Sequence, residues 1–127
     1  MIELNIKTTK RTQAINITSQ IAHAVREKEG SLLHIYTPHT TCGLIINEEA
    51  DPNVIRDIME ALDRMAPADY PYTHLEGNSD AHIKAVLTGS SVSIPLSGGA
   101  LKLGAWQGIF FMEFDGPRER KVLVTLI

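Results

Sequence analysis

Five histidines are the residues of this chain best suited to chemistry near neutral pH, because imidazole is the side chain that ordinarily changes charge between about pH 5 and 8. His23 falls in a helix-like stretch and His34 in a strand-like one, where a ring is usually an ordinary surface or core residue. The other three stand at junctions. His39 follows Pro38 in Pro38-His39-Thr40-Thr41-Cys42, His74 sits in a long loop, and His82 opens a short helix behind Asn78 and Asp80. Functional groups concentrate on loops carried by a rigid scaffold, so His39, His74 and His82 are expected to converge on one site. Their spacing matches no HExxH or CxxC pattern, and any convergence must come from the fold.

Other groups admit two readings each. Asn47-Glu48-Glu49 ends an apolar run, where Glu48 is either a general base or Mg²⁺ ligand or part of a solvated turn. Thr40, Thr41, Ser90 and Ser91 offer hydroxyls, and the Gly89 turn offers N–H groups, for a phosphate oxygen; a glycine helix stop explains the same letters. No GxxxxGK[ST] loop is present. Trp106 is a core residue or a stacking wall for a ring. Arg118 and Arg120 are anion clamps or the tip of a solvated hairpin. Cys42 is a soft ligand or nucleophile, or, as its apolar neighbours favour, a buried structural thiol.

Positioning these groups falls to a chain of 127 residues, the size of one domain. Hydrophobic residues at 43 % and charged ones at 21 % allow a core and make disorder untenable. A net charge of −3 argues against a broad nucleic-acid surface, which needs a basic face, while leaving room for a local phosphate pocket. No apolar run approaches the roughly 18–20 residues of a membrane span. The single cysteine cannot pair internally, which suits a reducing compartment; with Glu3 interrupting the start, no secretory signal is read and the cytoplasm is expected.

Met1–Thr8 alternates as a half-buried strand, and Ala14–Ile17 is expected to pair with it across a Lys10-Arg11 turn. Thr18 or Ser19 caps a helix to about Glu29, stopped by Gly30. Ser31–Tyr36 and Cys42–Asn47 read as strands, the second buried on both faces. Asp51 caps a helix with Pro52 in its first turn and an apolar stripe from Val54 to Met65, ended by Pro67. The loop from Ala66 to Ser79, about 14 residues, is near the length at which loops are usually functional. Ser79 or Asp80 caps a short helix, Ala81–Thr88. Ser91–Leu96, Ala100–Leu103, Gln107–Phe114 and Lys121–Ile127 then read as strands, with hairpin-type turns at Ser97-Gly98-Gly99 and Asp115-Gly116-Pro117. This order predicts a single α+β domain, with largely antiparallel β-sheets packed against about three helices.

His39-Thr40-Thr41, Asn47-Glu48 with Asp51-Pro52, His74 with Asn78 and Ala81-His82, Gly89-Ser90-Ser91, Leu103-Gly104-Ala105-Trp106-Gln107-Gly108 and Asp115-Gly116-Pro117-Arg118 occur in this order. Together they resemble the YjbQ-like family, also called the secondary thiamine-phosphate synthase family, from about residue 3 to the C-terminus. The resemblance implies a homotrimer with sites in clefts between subunits. It also implies a weak condensation of hydroxymethylpyrimidine diphosphate with thiazole phosphate that releases pyrophosphate. In that reaction His39, His74 and His82 would hold the diphosphate or a divalent metal, Mg²⁺ or Zn²⁺, with Glu48 and Asn78 behind them. Thr40, Thr41, Ser90 and Ser91 would hold phosphate oxygens, Arg118 an anion, and Trp106 would flank a ring. The rival readings are a non-catalytic binder of an anion, metal or small phosphorylated metabolite, and a metal-dependent hydrolase.

Overall fold

The computed structural model describes residues 1–127. Its elements are β1 (Ile2–Lys7), β2 (Gln13–Asn16), α1 (Thr18–Val25), β3 (Leu32–Tyr36), β4 (Cys42–Glu48), α2 (Pro52–Met65), α3 (Ser79–Thr88), β5 (Ser91–Ser97), β6 (Ala100–Leu101), β7 (Gln107–Glu113) and β8 (Glu119–Leu126). Two sheets result, ordered β1-β8-β3-β5-β6 and β2-β7-β4, and every pairing is antiparallel. This is the α+β architecture with three helices that the sequence predicts.

The period of two along β7 explains the layering. Ile109 and Phe111 join Leu33, Ile35, Val122 and Val124 in the core between the sheets. Phe110 and Met112 point the other way and pack with Phe114, Leu62 of α2 and Ala81 of α3. The layers are therefore large sheet, small sheet, then α2 and α3. Asp51 caps α2 as expected, its Oδ1 accepting from the Asn53 N–H at 2.9 Å, an interaction worth about 1 kcal/mol.

The sheet connections differ from expectation. β2 pairs with β7, not with β1, and β7 and β8 lie in different sheets, so Asp115-Gly116-Pro117 is a crossing between sheets rather than a hairpin turn. The reason is a bent two-stranded ribbon. Lys7 pairs with Glu119 in one sheet and Gln13 with Glu113 in the other, leaving residues 8–12 opposite residues 114–118 as they cross together. At the bend the Thr8 N–H donates to the Arg118 carbonyl and the Gly116 N–H to that of Arg11. A Cβ on Gly116 would stand 2.2 Å from the Lys10 carbonyl oxygen, so only glycine fits the corner. Smaller departures are that α1 stops at Val25, with Glu27 at φ 64°, that β6 is short, and that β4 is fully buried only over Cys42–Leu44.

A second close approach sets the position of α3. A Cβ on Gly43 would lie 2.0 Å from Thr88 Oγ1 and 2.8 Å from the Gly89 carbonyl. That carbonyl accepts from the Leu44 N–H at 3.0 Å. The end of α3 thus rests on β4, beside the loop that carries His39.

Candidate functional site

The Thr37–Thr41 loop leaves the large sheet at Pro38, which has no N–H to continue the ladder. Two loop side chains take over the peptide group of Lys121 on β8. Thr37 Oγ1 donates to its carbonyl at 3.0 Å, and its N–H donates to His39 Nε2 at 2.9 Å. Opposite this loop stands the first turn of α3. Arg11 grips Asp80 with two hydrogen bonds of 3.1 Å, and the buried Lys84 ammonium reaches Asp63 at 2.6 Å. This mesh fixes the helix that presents His82. Asn78, not Ser79 or Asp80, is the N-cap residue, but its side chain makes no cap bond. Its Nδ2 donates instead to Asp115 at 3.0 Å.

Between the loop and α3 lies a cleft with two chambers that share Pro38, His39, Thr40 and His82. The first, about 500 Å³, is bounded also by Tyr36, Cys42, Ala85 and Val86. The second, about 350 Å³, has no hydrophobic lining residue; it adds Thr41, Glu76, Asn78, Asp115, Arg118 and Arg120. The Arg118 side chain is half-exposed and bonded only to Asp115. Arg120 is buried, with Nε and Nη2 on the Glu113 carboxylate and Nη2 also 2.8 Å from Thr41 Oγ1. Asn78 Oδ1 is the one buried side-chain polar atom without a partner.

Burial disfavours the charged form of Glu113, but Arg120, the Asp115 N–H and the Thr8 hydroxyl outweigh it and hold the carboxyl below its ordinary range. Arg11 does the same for buried Asp80. Burial, then the nearby Arg120 guanidinium, lowers the His39 pKa. Burial pushes the Cys42 thiol up, which makes it a poor nucleophile.

The expected residues divide into two groups. His39, His82, Thr40, Thr41, Asn78, Ser90 and Arg118 line the cleft. His74 lies beside it, its ring edge-on to that of His82 with centroids 5.5 Å apart and its Nε2 3.6 Å from Glu76. Ser91 is exposed at the start of β5 and lines neither chamber. Glu48 and Trp106 sit at the opposite end of the small sheet. Glu48 pairs with Gln107 six residues along β4 from Cys42, about 20 Å away at the rise of a strand, and Trp106 is 66 % exposed. Within the protomer neither reaches the histidines. Asp115 and Glu76, which line the second chamber, and Glu113, which holds Arg120, are given no role by the sequence. Asp115 was discoverable from its position three residues before Arg118, a turn spacing that lets the two pair. Glu113 carried no such signal, because its partner belongs to another sheet.

A metal held by all three imidazoles does not fit this arrangement. The Nε2 lone pair of His39 is already engaged by the Lys121 N–H, and no three His, Cys, Asp or Glu side chains are disposed around one point in the protomer.

A two-sheet α+β core, with α2 and α3 on one outer face and a polar cleft between the β3–β4 loop and α3, defines the structural class. The chain matches the family described as UPF0047 protein YjbQ-like over residues 2–127, and it belongs to that family. The UPF0047 protein MJ1081 of Methanocaldococcus jannaschii is 49 % identical over all of this chain and 94 % of its own length. YugU of Bacillus subtilis is 43 % identical over 98 % of this chain and 96 % of its own. A crystal structure of a yjbq/upf0047-family protein from Clostridium acetobutylicum superposes with a TM-score of 0.95 at 51 % identity, covering 100 % of both chains. That of the conserved hypothetical protein TT1486 from Thermus thermophilus gives 0.94 at 41 %, also over 100 % of both. No helix is long and apolar enough to cross a membrane.

Proposed function

We propose that the cleft binds a phosphorylated small molecule and catalyses a weak displacement of pyrophosphate, joining hydroxymethylpyrimidine diphosphate to thiazole phosphate. The observation that supports this reading is the second chamber, which has no hydrophobic lining residue and is bordered by Arg118 and Arg120 together with Thr40, Thr41 and Asn78, with the carboxylates of Glu76 and Asp115 also on its wall. In the reaction a thiazole nitrogen forms a bond to the methylene carbon of the pyrimidine. The bond from that carbon to the diphosphate oxygen breaks, and pyrophosphate leaves with the electron pair. The protein's task is to hold the two substrates together and to stabilise the negative charge that builds on the leaving group.

Arg118, half-exposed and paired with Asp115, would exchange that partner for a phosphate, while Arg120 is held in place by Glu113. Thr40 and Thr41 border the same space, and Asn78 Oδ1 lacks a donor that a ligand N–H or O–H would supply. His82, on both chambers, is placed to give a proton to the departing oxygen. The less polar first chamber suits a ring. In this reading a divalent cation arrives on the diphosphate, as Mg²⁺ does at many phosphate sites, and belongs to the substrate. The protein works as a homotrimer in the cytoplasm, where Cys42 stays a thiol; exposed Ile83, Val86 and Leu87 on α3 beside the cleft are the apolar surface that supports assembly.

The test is pyrophosphate release from the two substrates, compared between the native protein and His82→Ala. Turnover that disappears in the variant, with the light-scattering mass unchanged and equal to three chains, supports the proposal. Unchanged turnover removes His82 from the chemistry. Tight pyrophosphate binding with no turnover in the native protein replaces catalysis by the binding-protein reading.

A further inference from the structure

The Lys121 N–H that points at His39 decides more than the orientation of a ring. An amide N–H is only a donor, so Nε2, 2.9 Å away, must present a lone pair rather than a hydrogen. A neutral imidazole carries one proton, and here it is left to Nδ1. We infer that His39 works as a neutral hydrogen-bond donor, presenting Nδ1–H to a ligand oxygen where the two chambers meet, and serves neither as a metal ligand nor as a general base. This inference rests on the reading of the cleft as an anion site and assigns one of its residues a specific task.

Three further observations agree. A ring turned over about Cβ–Cγ would set a C–H against the Lys121 N–H, and Lys121 is itself held at the loop by Thr37 Oγ1, which donates to its carbonyl. Nδ1 has no protein acceptor, yet it is not among the buried polar atoms lacking a partner, so it is accessible within a residue that lines both chambers. The charged groups around the ring also oppose a second proton. Arg120, Lys121 and Arg118 are cationic, while the one nearby carboxylate that favours protonation, Glu113, is occupied by Arg120.

The chemical consequence follows from the proton inventory. A metal at Nδ1 would need the Nδ1 proton removed while Nε2 still accepts from Lys121, leaving an imidazolate anion. A general base at Nδ1 would need a lone pair on an atom that carries hydrogen. A neutral donor needs neither change and strengthens as negative charge grows on the oxygen it faces, as a group stabilising a departing diphosphate should.

Two-bond ¹H–¹⁵N correlation spectra of the full-length ¹⁵N-labelled protein read the tautomer directly. The expected pattern for His39 is a protonated Nδ1 and a bare Nε2, unchanged from pH 8 to pH 6 and unchanged by equimolar Zn²⁺. Pyrophosphate titrations supply the second readout. His39→Gln, whose amide takes the Nε2 position and leaves the Nδ1 position empty, is expected to weaken pyrophosphate binding about tenfold. His39→Asn, whose amide N–H falls near Nδ1, is expected to recover much of that loss. A protonated Nε2, a doubly protonated ring at pH 7, or Zn²⁺ bound at His39 overturns the inference, as does a recovery by Gln in place of Asn. If the native protein fails to bind pyrophosphate at all, the anion reading of the cleft falls, while the spectrum still decides the tautomer.

Discussion

The guanidinium of Arg120 on β8 lies against the carboxylate of Glu113 on β7, joining the large sheet to the small one beneath the polar chamber. Both side chains are almost wholly buried, and Thr8, Thr41 and the Asp115 N–H complete their hydrogen bonds. Removing one member of such a pair leaves the other charged in a poorly solvated place. Arg120→Leu should therefore lower stability by about 3–5 kcal/mol, measured by urea unfolding. A loss below about 1 kcal/mol would mean that water reaches Glu113.

Acid should destabilise the protein in two stages. The folded state holds His39 below its ordinary pKa, so the unfolded chain takes up that proton first, near pH 6.5. Stability from this source is complete above about pH 7 and declines as the pH falls through 6.5 toward the folded value. Glu113 and Asp80 are also held low in the fold, and the unfolded chain binds their protons near pH 4. Their contribution is intact above that region and is lost as the pH falls through the lower folded values. Urea midpoints from pH 8 to pH 3 should show both declines, and His39→Asn should lack the first.

Arg118 differs from Arg120 in its exposure. Its side chain is half-exposed, bonded to a single residue, and lines the polar chamber. Arg118→Ala should weaken pyrophosphate binding about 10- to 100-fold, the loss of a charged hydrogen-bonding group, with a thermal midpoint close to that of the native protein. Calorimetric titration beside a melting curve separates the two effects. A variant that binds as well as the native protein would show that Arg120 alone carries the anion.

Gly43 offers a test from the scaffold side. A methyl group there meets both Thr88 and the Gly89 carbonyl, so Gly43→Ala must push α3 away from β4. A cost of about 1–3 kcal/mol is expected from such overpacking. Since α3 carries His82, pyrophosphate affinity should fall with it. Normal affinity in a destabilised variant would indicate that the helix yields only at its C-terminal end.

The sequence made the helices and strands visible because apolar residues recur with the period of each element, as in the α2 stripe from Val54 to Leu62 and the alternation of Ile2, Leu4 and Ile6. It also singled out His39 and His82 through their places at junctions, and Asn78 and Arg118 through the motifs that contain them. Pairing was less legible. Nothing in residues 8–12 shows whether the chain turns back or crosses to another layer, because that depends on residues 114–118 meeting it from about a hundred positions away. Glu113 was hidden for the same reason: a carboxylate beside apolar neighbours gains its meaning only from Arg120. Glu48 and Trp106 look as suited to chemistry as the histidines, yet β4 and β7 carry them to the far end of the small sheet.

The bent ribbon also limits how this protein can change. Residues 8–12 and 114–118 span the corner with five residues each, between the pairs Lys7–Glu119 and Gln13–Glu113. Adding or deleting a residue on one side alone would shift one strand by a single position and turn its inward side chains outward. Length variation at this corner should therefore be found only in matched pairs, and the loops elsewhere, such as that between α2 and α3, are where the chain is free to grow.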